Sequence, residues 1–73
     1  MTITSKIQFD SLSAILCGRM VSTDPKTRLE AALAASTLLA ELPKFLRNSP
    51  HCRDETEAIT TLISRVFEES EAT

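Results

Sequence analysis

The sequence predicts an all-α protein, an antiparallel helical hairpin with a short N-terminal arm that dimerises into a four-helix-bundle-like assembly. Three observations support this. The 73 residues are 42% hydrophobic, 25% charged and contain a single glycine, which is the composition of one small globular domain rather than a disordered or fibrous chain. Pro25 and Pro50 each follow a capping-type residue, and proline at the first helical position loses only an N–H that has no partner there. Downstream of each, apolar residues recur at spacings of three and four, the period of a helix face.

The arm spans residues 1–23. Ile3, Ile7 and Phe9 fall on odd positions, the alternation of a short half-buried strand. Asp10 then caps a brief helix from Ser11 to Cys17, and Gly18 stops it in a left-handed conformation. Arg19, Met20 and Val21 continue as an extended stretch. Arg and Met are residue types favoured at adaptable protein interfaces, so these three form one candidate partner contact; the competing reading packs Met20 and Val21 against the helices.

Residues 24–48 form the long helix. Asp24 supplies the N-cap acceptor ahead of Pro25, and the run from Arg28 to Leu42 is rich in alanine and leucine, the strongest helix formers. Pro43 removes one backbone hydrogen bond and crowds the carbonyl of Leu39. A kink is expected there, because Lys44, Phe45, Leu46 and Arg47 carry the pattern onward to Asn48. The second helix, residues 50–70, starts at Pro50 with Ser49 or Asn48 as its cap. Asp54, Glu55 and Glu57 suit the positive end of its dipole, and Ile59, Leu62, Ile63, Val66 and Phe67 form one apolar stripe.

The long helix is apolar over most of its circumference. Leu29, Ala32, Leu33, Ser36, Leu39, Ala40 and Leu46 share one face, while Ala31, Ala35, Leu38, Leu42 and Phe45 share the adjacent one. Its polar strip is Glu30, Thr37, Glu41, Lys44 and Asn48. Such a helix must be buried on more than one side, and a mate with one stripe covers only one of them. A second copy of the chain closes the other, with Ala31, Ala35, Leu38, Leu42 and Phe45 as the dimer interface. The alternative closure is within one chain, the N-terminal segment folding over with Ile7, Phe9, Ile15 and Leu16. A chain this short gains only roughly 3–5 kcal/mol from its own core, which favours the dimer.

Composition also narrows function. The net charge is −2, without the basic stripe of a nucleic-acid binder. Residues 54–73 hold Asp54, Glu55, Glu57, Glu68, Glu69 and Glu71 against Arg65 alone, a net −5. A DNA-reading second helix would direct carboxylates at phosphates. His51 and Cys52, with Cys17 distant, make three soft ligands, fewer than a structural zinc site needs. They read as a loop histidine and a half-buried thiol, so no metal and no cofactor is expected. One histidine and no glycine-rich turn also leave little for nucleophilic catalysis or phosphate binding, and a non-enzymatic role is expected. The apolar run from Leu29 to Leu46 is interrupted by Glu30, Glu41 and Lys44, which excludes a membrane span. With no visible targeting segment the expected address is the cytoplasm, where the thiols stay reduced.

Protein binding remains. Glu68, Glu69 and Glu71 suit docking on a basic surface, set against the simpler role of keeping a leucine-rich dimer soluble.

The stretch Lys6, Ile7, Gln8, Phe9, the cap Thr23, Asp24, Pro25, Lys26, Thr27, Arg28, Leu29 and the helix from Glu30 to Leu42 resemble small early proteins of Pseudomonas phages. The densest likeness lies in Ala32, Leu33, Ala34, Ala35, Ser36, Thr37, Leu38 and Leu39. That group includes quorum-sensing anti-activators, helical dimers that bind a LuxR-type activator and a pilus assembly ATPase. The resemblance implies a homodimer in the bacterial cytoplasm that inhibits a larger regulatory protein by occluding its DNA-binding surface. The runner-up is a helical-hairpin chaperone or assembly factor for a secretion or pilus component. An anti-nuclease or anti-defence phage protein follows the same surface logic with a different target.

Overall fold

The computed structural model describes residues 5–72, and they are helical apart from short connections. The order is α1 (Lys6–Met20), α2 (Pro25–Ala40), α3 (Lys44–Arg47) and α4 (Pro50–Ala72). The all-α class holds. Most of the described part of the arm, however, is a helix, Lys6–Met20, and Arg19 and Met20 belong to it rather than to an extended stretch.

Helix α1 starts where Ser5, in extended conformation, accepts a hydrogen bond from the Gln8 N–H at 3.3 Å. Asp10 therefore lies inside the helix instead of capping it. Gly18 is helical too, and no described residue has positive φ. Helix continuity outweighs the intrinsic cost of a glycine, about 1 kcal/mol, because α1 has a core to cover. Phe9, Leu16 and Met20 are buried on it, with Leu12 and Cys17 packed alongside. Ile7 is 77% exposed, which removes the strand alternation at that position; Ile3 lies outside the described residues.

The α1–α2 connection is tightly tied. Asp24 accepts from the Lys26 N–H at 3.3 Å and from the Thr27 hydroxyl at 2.7 Å. These bonds, the Thr27 hydroxyl first, hold its carboxyl below the usual aspartate range. The Arg28 guanidinium donates to the Ser22 carbonyl at 2.7 Å. So the cap at Asp24, with Pro25 at the helix start, forms as its sequence signature implies.

At Pro43 the chain breaks rather than kinks. Helix α2 stops at Ala40, and Pro43, at φ −63° and ψ 152°, is the N-cap residue of the separate turn α3. Arg47 reaches back to donate to the Ala40 carbonyl at 3.1 Å, satisfying one of the orphan acceptors of the break. The turn lets Leu42 and Leu46 both enter the core.

Helix α4 runs antiparallel to α2, since Arg28 near the start of α2 meets Glu69 near the end of α4 at 3.6 Å. It runs parallel to α1, because His51 at its start meets Asp10. The core is the seam among these three helices. Ala32 and Ala35, fully buried, allow close approach of their neighbours, and Leu38, Ile59 and Cys52 fill the centre. The stripe predicted for α4 is buried or half-buried throughout. The molecule is elongated, 38 × 17 × 16 Å.

This packing changes the meaning of the broad apolar helix. Ala31, Ala35, Leu38 and Leu42, expected between two copies, are all at most 4% exposed inside one chain. The N-terminal helix closes that side through Phe9 and Leu16, though Ile7 and Ile15 of the same alternative set point outward. Of the predicted interface only Phe45 remains free, at 62% exposure. The described helices include none long and apolar enough to cross a membrane.

Candidate functional site

The surface offers two features, a mixed end of the bundle and a polar cluster. At the end where α1 and α4 finish and α2 begins, Met20, Val21, Ser22, Arg28, Leu62, Arg65, Val66 and Glu69 line a shallow hollow. Two stretches predicted separately as partner contacts, Met20 with Val21 and the glutamates near the C-terminus, thus meet there through Glu69. Their exposures differ. Met20 is buried, a correction to its expected role as a contact, because its side chain seals the end of the core. Val21, just past the last turn, is 66% exposed. Arg19, Glu68, Glu69 and Glu71 are exposed as expected. Arg28 pairs with Glu69, and the pair leaves apolar Val66 and Leu29 beside it in the adjoining groove.

The polar cluster was not visible as a unit in sequence. His51 lies in the first turn of α4, not in a loop. Its Nε2 stands 3.2 Å from Asp10 Oδ1 on α1 and 3.0 Å from Glu55 Oε1 one turn along its own helix. The three side chains present donor atoms that all lie within 4.8 Å of one another. Glu55 Oε2 is buried and has no hydrogen-bond partner. Burial pushes the Glu55 carboxyl up from its ordinary range, Asp10 adds to this through hydrogen bonding and repulsion, and His51 opposes it.

Of the two thiols, Cys52 is buried more deeply than the half-buried position expected of it. Cys52 is fully buried in the core, and Cys17 is partly buried. Burial, and then the neighbouring Glu55, push the Cys17 thiol up, which favours its protonated, less nucleophilic form. The spacing of His51 and Glu55 on one helix face was legible, because residues four apart are neighbours on a helix. Asp10, 41 residues away from His51, needed the packing of α1 on α4.

With the fold and surface in view, the protein is a small helical bundle carrying exposed apolar and acidic surface. No protein-family model, curated protein or solved structure matches the chain.

Proposed function

We propose that this chain is a non-enzymatic interaction protein, working in the bacterial cytoplasm, that binds and inhibits a larger bacterial protein. The observation that carries the reading is the apolar surface left after the core has closed. Ile7, Ile15, Val21, Leu33 and Phe45 are each more than half exposed, so apolar side chains on several elements are available to a partner. Self-association belongs to the same reading, through Phe45 and Leu33 in place of the buried seam.

The target that best fits is a LuxR-type activator. This rests on the resemblance of the α1 start and of α2 to phage anti-activators, and on the exposed carboxylates of Glu68, Glu69 and Glu71, of which Glu69 lines one hollow with Val21. Exposed carboxylates near exposed Val21 complement a basic DNA-binding surface, and the bundle carrying them blocks it by charge and bulk.

The test is a DNA-competition assay with purified LuxR-type activator, with and without the protein, at two salt concentrations. The wild-type protein is expected to release the DNA. The triple Glu→Gln variant at positions 68, 69 and 71 should need severalfold more protein to do so and should lose most of its salt sensitivity. Unaltered DNA binding at saturating protein would refute the activator target. A chaperone of a secretion or pilus subunit is the second reading, favoured by the exposed Phe45 and Leu33. It predicts that the protein exchanges its self-contact for the client and leaves the activator–DNA complex intact.

A further inference from the structure

We propose that Asp10, His51 and Glu55 form a binding site for a divalent transition cation of the zinc class, joining α1 to α4. The inference is independent of the interaction role. Its first support is geometric. Ligands held 2.0–2.1 Å from a tetrahedral zinc lie roughly 3.3 Å from one another. The two contacts of His51 Nε2, 3.2 Å to Asp10 Oδ1 and 3.0 Å to Glu55 Oε1, already match such edges, and the three donors span no more than 4.8 Å. A cation seated among them needs only side-chain adjustment.

The donor set supplies the second argument. One imidazole and two carboxylates suit zinc and its first-row neighbours, whereas magnesium and calcium take oxygen ligands almost throughout. Electrostatics supply the third. Two carboxylates held against one imidazole leave a local negative charge even when the histidine is protonated, and Glu55 Oε2 sits buried with nothing to bond it. A dication offsets the charge, and bonding to both Glu55 oxygens would satisfy Oε2 as well. Three protein ligands leave a fourth position for water or for a donor from another molecule. Because the ligands come from two helices, occupancy ties the first half of α1 to the start of α4.

Zinc titration of the full chain by calorimetry, with thermal melts followed by circular dichroism, tests this. One zinc per chain is expected. At free zinc a hundredfold above Kd the melting temperature should rise on the order of 10 °C, while magnesium and calcium give no shift. His51→Gln and Asp10→Asn, both at partly exposed positions, should fold and lose the zinc response. Cys17→Ser should keep it. No heat and no melting shift with wild-type protein would overturn the site, as would an equal response to magnesium. Binding that survives both ligand variants, or that vanishes with Cys17→Ser, would also overturn it by moving the metal elsewhere.

Discussion

Gly18 shows how far a single residue can mislead. The only glycine of the chain suggests a left-handed helix stop, yet it lies within α1 with no positive φ, and a Cβ built on it meets nothing within 4 Å. Gly18→Ala is therefore expected to stabilise the protein by about 0.5–1 kcal/mol, by restricting the unfolded chain and favouring helix. A rise in the melting temperature checks it; a left-handed glycine would give a fall. Glu55 provides a pH signature at the same scale. Its folded carboxyl titrates above the ordinary glutamate value of 4.5, so between those two points the folded state holds more protons than the unfolded state. Stability attributable to Glu55 then falls as pH rises through that interval, and it is unaffected well below 4.5. Melting temperatures across this range should decline less steeply for Glu55→Gln than for wild type without added metal.

At the scale of elements, the decisive event is the burial of α2 between α1 and α4. A helix that is apolar nearly all round has two faces to cover, and a long first helix in the same chain covers Ala31, Ala35 and Leu38 without a partner, while Leu33, Ser36 and Ala40 stay exposed. The core side of α2, Ala31, Ala35 and Leu38, thereby becomes internal, and Pro43 ends the helix so that Leu42 and Leu46 can turn inward. Two substitutions separate this from a two-chain seam. Leu38→Glu places a charge at a fully buried position, whose desolvation exceeds the roughly 3–5 kcal/mol such a core supplies. It should abolish helical circular dichroism rather than release folded monomers. Phe45→Glu, at an exposed position on α3, should keep full helicity and reduce any self-association seen by light scattering. The reverse pattern would return the interface to the α2 seam.

For the whole molecule, the two candidate surfaces lie apart along the long axis. One end gathers Val21, Arg28, Val66 and Glu69, with Glu68 and Glu71 on the same last turns of α4, and the Asp10–His51–Glu55 cluster lies toward the start of α4. The exposed glutamates at the first end are the basis of the salt dependence expected of the proposed inhibition, since exposed charges act over about 10 Å at 0.1 M salt and less as salt rises. The polar cluster responds to pH and, on the proposal made for it, to metal. Surface binding and the link between α1 and α4 can thus be perturbed separately, the first at residues 68–71 and the second at residue 51.

The local signals were legible in the sequence. The Asp24–Pro25 cap, the start at Pro50, the apolar stripe of α4 and the exposed polar strip of α2 depend on neighbours within a turn or two, and they formed as expected. Position within the fold depended on contacts far apart in the chain. Residues 6–20 look unpatterned because their helix interleaves buried Phe9, Leu16 and Met20 with exposed Ile7 and Ile15, so apolar periodicity was blurred. Whether a second copy or α1 would cover the wide face of α2 was a choice between two burials of equal chemistry. The sequence by itself determined the all-α class, the over-wide apolar helix and the acidic C-terminal stretch, but not the helix of residues 6–20. Only the tertiary structure decided that the chain itself buries Ala31, Ala35 and Leu38 and brings Asp10 to His51, because both outcomes require residues distant in the sequence to meet.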